Sequence, residues 1–119
     1  MVCHRIFLNE KSIAFVLIMK QSIENRFKGQ LVAKDMQIVL NPLNCFSQEE
    51  IDKVYKYCNY HGAHFTELDV IRDADGKIYI IDNNNVPAYA STLKTLLDKT
   101  DTFRLLVDSF DEAVKLHAR

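Results

Sequence analysis

Four side chains between residues 67 and 84 have the types and spacing to act together: Glu67, Asp69, Asp82 and Asn84. Residues 65–72 (FTELDVIR) and 77–82 (KIYIID) read as two β-strands, and the Asp75-Gly76 step between them is a hairpin signal. Side chains alternate faces along a strand. Glu67, Asp69 and Ile71 therefore share one face, and Ile78, Ile80 and Asp82 share one face of the partner strand. The turn sets Asp69 beside Asp82, near the end far from Gly76. Facing carboxylates repel, and a cation between them removes the penalty. Asn84 offers a neutral carbonyl oxygen two residues further on. Two carboxylates and an amide oxygen suit a hard cation such as Mg²⁺, which takes few protein ligands together with phosphates and waters. The same residues also fit a plainer arrangement. There Asp73 and Asp75 only make the turn, Glu67 is a solvated strand residue, and Asn83, Asn84 and Asn85 form an ordinary loop. A general acid–base pair of Glu67 with Asp69 is the weakest reading, because the two sit on one strand with no visible cleft between them.

The elements that must carry this hairpin are legible in part. Residues 3–8 (CHRIFL) and 12–20 (SIAFVLIMK) are two β-rich runs joined by the polar Asn9-Glu10-Lys11 turn. The second run is apolar at nearly every position, which predicts burial on both faces. Residues 21–45 mix charge, amide and apolar side chains, with a possible strand near Met36–Leu40 and a loop at Pro42 and Asn44. Ser47-Gln48-Glu49-Glu50 is a capping box. Ile51, Val54, Tyr55 and Cys58 follow at helical spacing, and Gly62 provides a left-handed stop, so a helix is predicted over about 48–61. After the hairpin, Asn83 to Pro87 has poor propensity for either regular structure. Residues 91–97 suggest a short helix. Thr100 or Asp101 caps a last one, with Phe103, Leu106, Val107, Phe110 and Val114 as its apolar stripe.

Composition narrows the function classes. The chain has 119 residues, 48% of them apolar and 26% charged, which suits one globular domain with one core. A net charge of −1 gives no basic footprint for nucleic acid. The longest apolar run, Ile13–Met19, is too short for a membrane span, and no signal peptide is evident, so neither nucleic acid nor membrane is an expected partner. Cys3, Cys45 and Cys58 are odd in number, without metal-ligand spacing to His4, His61, His64 or His117, and a reducing cytoplasm is expected. Only Gly29, Gly62 and Gly76 are present, well apart, so a glycine-rich phosphate loop is excluded.

Residues 67–87, ELDVIRDADGKIYIIDNNNVP, resemble the C-terminal signature of the ATP-grasp superfamily. That signature is a strand with an acid, a turn often containing Asp-Gly, and a strand ending in an acid, any residue and Asn, commonly with Pro shortly after. D-alanine–D-alanine ligases show the same order and the same spacing between the acids. FSQEEIDKVYKYCNYHG matches the helix before the metal strands, and the ENRFKGQ stretch and the C-terminal segment are similar to an uncharacterised ATP-grasp subgroup. The resemblance runs from about Arg5 onward. It implies an α+β fold, an antiparallel sheet with helices packed on one face, as a single N-terminally truncated domain over 1–119. It implies Mg²⁺ and ATP as cofactors of the complete protein. Asp69, Asp82 (bridging) and Asn84 would be the metal ligands, with Ile71, or Ile81 if a bulge shifts the strand, forming the floor under the adenine. In such ligases the γ-phosphate moves to a substrate carboxylate, and an amine or similar nucleophile attacks the acylphosphate.

The departures are equally specific. The glycine-rich loop, the phosphate-binding lysines and the adenine hinge of the other ATP-grasp lobes have no counterpart here. Glu67 stands where some family ligases carry an arginine, a change of two charge units. Arg26 or Lys20 could supply positive charge, although both also fit as solvated surface residues. The expectation is a lobe of an ATP-dependent carboxylate–amine or carboxylate–thiol ligase that supplies Mg-ATP ligands, has no catalytic residue of its own, and binds nucleotide when the missing lobe is supplied. The alternative is a non-enzymatic module that self-associates or binds a partner, through a homodimer of exposed N-terminal strands.

Overall fold

The structure is a computed structural model that describes residues 2–20, 36–84 and 102–117. Its elements run β1 (Val2–Asn9), β2 (Ile13–Lys20), β3 (Met36–Val39), a 3₁₀ turn (Pro42–Asn44), α1 (Gln48–His61), β4 (Phe65–Arg72), β5 (Ile78–Asn84) and α2 (Thr102–His117). The strands form one five-stranded sheet in the order β3-β2-β1-β4-β5, with every pairing antiparallel. The fold is α+β, as the sequence suggests.

β1 and β2 lie inside the sheet rather than at its edge. Ile6, Phe7, Leu8, Phe15, Val16 and Leu17 are fully buried, so both faces of these strands need cover. Ile6, Leu8 and Val16 join Leu68 and Val70 of β4 under Ile51, Val54 and Cys58 of α1. Phe7, Phe15, Leu17 and Met19 join Met36 of β3 under Leu106 of α2. Phe7 and Phe15 are paired across the strands and stack at 4.5 Å. The helices thus pack on opposite faces, which corrects the expectation of helices on one face. The physical reason is already in β1 and β2: strands apolar on both sides cannot leave one side in water, since each buried Phe, Leu or Ile contributes roughly 1.5–3 kcal/mol. The same arrangement overturns the exposed N-terminal strands. Among the described residues, the sheet edges are β3 and β5.

α1 forms as its capping box demands. Ser47 Oγ accepts from the Glu50 amide at 3.1 Å, the Ser47 amide donates to Glu50 Oε1 at 3.0 Å, and Gly62 closes the helix at φ +63°. Arg72 then ties the β4–β5 hairpin to this helix start. It donates to both Glu50 oxygens, at 2.6 and 3.1 Å, and to the carbonyls of Gly76 and Cys45. The Arg72 hydrogen bond holds the Glu50 carboxyl below the ordinary carboxylate range. On the other side, buried Asn9 clamps α2. Its Nδ2 donates to the Ser109 carbonyl at 3.0 Å and to Glu112 Oε1 at 3.1 Å, while its Oδ1 accepts from the Lys11 and Ser12 amides.

The apolar stripe expected on α2 is its buried face only in part. Leu106, Ser109 and Ala113 are buried, whereas Val107, Phe110 and Val114 are about half exposed. The side chain of Phe103, the 91–97 helix, the cap at Thr100 or Asp101, and Arg26 lie outside the described residues. Among the described residues no helix is long and apolar enough to cross a membrane.

Candidate functional site

The β4–β5 register sets Asp69 opposite Asp82 and Glu67 opposite Asn84. The pairing then shifts, so that Val70 meets Ile80 and Ile71 meets Tyr79. Ile81 is the extra residue of a β-bulge, half exposed at 50%. The bulge resolves a conflict that simple alternation cannot. Ile78 and Ile80 pack toward α1 with Leu68 and Val70, yet strict period-two spacing would put Asp82 on that same apolar face. One inserted residue lets the isoleucines go into the core and the acid come out beside Asp69. The reading that Ile78, Ile80 and Asp82 share a face is therefore corrected. β5 also runs on through Asn84, because Asn83 and Asn84 pair with Leu68 and Glu67 despite their poor strand propensity. Thr66 Oγ1 donates to the Asn83 side-chain oxygen and lies 3.0 Å from the Asn84 carbonyl, which fixes this strand end.

β1 extends the two rows. Arg5 pairs with Asp69 and Phe7 with Glu67, so one face carries Arg5, Asp69 and Asp82 in one row and Phe7, Glu67 and Asn84 in the next. Arg5 grips Asp69 with both arms: Nε donates to Oδ1 at 2.8 Å and Nη2 to Oδ2 at 3.1 Å. Burial works against the Arg5 charge, and the bonds to Asp69 with the nearby Asp69 and Glu67 charges more than offset it, leaving its pKa raised. Arg5 is the residue of this candidate site that sequence reasoning missed. Its signal was a lone guanidinium inside the apolar CHRIFL run, which requires an acid partner once the strand is central.

Glu67 is not a solvated strand residue. It is 5% exposed, beside buried Phe7. Asn84 Nδ2 donates to its Oε1 at 3.1 Å, and its Oε2 is the one buried side-chain oxygen among the described residues without a hydrogen-bond partner. Burial pushes the Glu67 carboxyl above its ordinary value, against the pull of Arg5 and of the Asn84 amide.

Asp69, Asp82 and Asn84 thus stand at one end of the hairpin, with Asp82 exposed and Asn84 half-buried. Ile71 is half-buried two residues from Asp69 on the same strand, opposite Tyr79, and Lys20 lies exposed at the end of β2. Asp73 is a turn residue: its Oδ1 accepts from the Asp75 and Lys77 amides. Three carboxyl groups, Glu67, Asp69 and Asp82, thus stand in rows that hold one guanidinium, Arg5. A carboxylate presents about four lone-pair sites, so Asp69 can bind Arg5 and a cation together. The donor set is all oxygen, a hard-cation set. The residues fit Mg²⁺ in kind and in charge. No family model, curated protein or solved structure matches this chain.

Proposed function

We propose that the chain is the C-terminal lobe of an ATP-grasp protein, supplying Mg-ATP ligands to a nucleotide site completed by other lobes, and that it does not catalyse alone. The observation that carries this reading is the bulged register that sets Asp69 opposite Asp82, with Asn84 in the next row of the same face. Mg²⁺ bound there would neutralise phosphate charge during transfer to a carboxylate. Asp69 and Asp82 provide the carboxylates, Asn84 the amide, and Ile71 with bulged Ile81 an apolar floor beside them. Arg5 provides a guanidinium in the region where some family ligases carry an arginine at the position of Glu67, so a neighbouring strand offsets one of the two charge units changed at Glu67. The parent activity would be an ATP-dependent carboxylate–amine or carboxylate–thiol ligation in the cytoplasm, where cysteines without a disulfide suit the reducing conditions.

Calorimetric titration of the chain with Mg²⁺ and with Mg-ATP tests the proposal. Binding with Kd on the order of millimolar is expected, weakened further in Asp82→Asn. Because Asp82 is exposed, that variant should keep the fold. Absence of binding by the unmodified chain at that concentration overturns the retained site.

The second reading, a self-associating module, is favoured by the half-exposed Val107, Phe110, Val114 and Leu116 on α2. Sedimentation at tens of micromolar separates the two: a clean monomer removes this alternative.

A further inference from the structure

Three chain-distant segments meet at the end of the sheet where β4 begins, beyond the Glu67–Asn84 row. Glu10 lies in the β1–β2 turn, His64 immediately before β4, and His117 at the last residue of α2. Glu10 Oε2 is 3.4 Å from His64 Nδ1, Glu10 Oε1 contacts His117 Nε2, and the two imidazole rings are tilted against each other at 3.9 Å. One ligand atom from each residue can be chosen so that all three lie within 4.8 Å of one another.

The placement is enforced by the fold. β1 and β4 pair as far as Asn9 and Phe65, so Glu10 and His64 are the next residues beyond that pair. The Asn9 bonds to Ser109 and Glu112 seat the C-terminal half of α2 over the same turn and bring in His117. All three side chains keep access to solvent, at 20% for Glu10, 54% for His64 and 45% for His117.

We propose that Glu10, His64 and His117 form a binding site for a borderline divalent transition metal of the Zn²⁺ type, separate from the Asp69–Asp82–Asn84 patch. Two imidazoles and one carboxylate are the ligand kinds such ions select, and hard cations such as Mg²⁺ do not. Ligand atoms around a tetrahedral ion with bonds of ~2.0–2.1 Å lie roughly 3.3 Å apart. The three side chains therefore need only a modest inward rotation, which their exposure permits. Three protein ligands leave a fourth position open to water or an external ligand, the pattern of a reactive or exchangeable site rather than a closed structural one. The ion would also fasten the C-terminus of α2 to the sheet.

The test is titration of the full chain with Zn²⁺ by calorimetry, with Co²⁺ absorption as the reporter of ligand type. One ion per chain is expected, with a visible Co²⁺ spectrum of nitrogen and oxygen ligands. His64→Ala and His117→Ala should each lower affinity at least about tenfold, with circular dichroism confirming that both remain folded. His61→Ala, on the exposed end of α1 outside the cluster, should bind as the unmodified chain does. No binding of Zn²⁺, equal affinity in His64→Ala and His61→Ala, or a thiolate charge-transfer band placing Co²⁺ on a cysteine would each overturn the proposal. Because neither Mg²⁺ nor ATP enters this experiment, its outcome is independent of the nucleotide reading.

Discussion

Glu67 is the residue with the strongest physical signature. Its carboxyl is buried beside Phe7, one oxygen is held by Asn84, and the other has no partner. Burial raises its folded pKa above the ordinary 4.5, so between those two values the folded state holds more protons than the unfolded state. Stability from this group therefore falls as pH rises through that window and stays reduced above the folded pKa. Glu67→Gln removes the titration while keeping the shape. The variant should match the parent near about pH 4 and become relatively more stable toward about pH 7, by about 1 kcal/mol, within the ~1–3 kcal/mol cost of an unsatisfied buried group. Urea denaturation midpoints of both proteins across that range check it, and a gap that shrinks with rising pH would contradict the burial argument. At this scale the sequence showed the acids and the amide because one short hairpin joins them. It did not show Arg5, whose partner Asp69 is 64 positions away. Nor did it show the burial of Glu67, which depends on Phe7 arriving from another strand. Pairings at that distance follow from strand order, which local spacing does not encode.

At the level of elements, legibility followed how local the determinants are. α1 was readable at both ends because its capping box and its terminal glycine act within a few residues. The β4–β5 hairpin was readable from its Asp-Gly turn, but its bulge only as the alternative raised at Ile81. The bulge reconciles Ile80 in the core with Asp82 outside, and that conflict exists only once α1 covers one face. The helix offers a clean test of the local terms. Ser47→Ala removes the cap and should cost about 1 kcal/mol. Gly62→Ala forces a Cβ into the left-handed conformation at φ +63° with no atom within 4 Å of it, so backbone strain alone should cost roughly 1–2 kcal/mol. The two sites lie at opposite ends of the helix, and the double variant should lose about the sum, to within ~0.5 kcal/mol. Chemical denaturation of the four proteins gives the answer. A deficit well beyond the sum would mean that the two ends report on one shared unit.

At the scale of the whole molecule, the two helices among the described residues cover the two faces unequally. α1 closes its side with three buried apolar residues, Ile51, Val54 and Cys58, and is tied down by Arg72 through Glu50. α2 meets the sheet through Leu106 and Ala113, an edge contact of Phe110 on Phe65 at 5.2 Å, and the Asn9 clamp. Less buried apolar surface means a lower local opening free energy, so α2 should exchange its amide hydrogens before β1, β2 and α1 do. Asn9 makes this testable, because its two ends do different things: Oδ1 holds the β1–β2 turn, and Nδ2 holds α2. Asn9→Asp keeps the turn acceptor but turns an oxygen toward the Ser109 carbonyl and Glu112, replacing attraction with repulsion. Native-state hydrogen exchange on this variant should show α2 amides losing protection by at least about tenfold, about 1.4 kcal/mol. The α1 amides, which sit on the other face, should change far less. Equal loss across both helices would show that the sheet and its two covers open as one unit, and that the Asn9 clamp serves the whole fold rather than the seating of α2 and, with it, of His117.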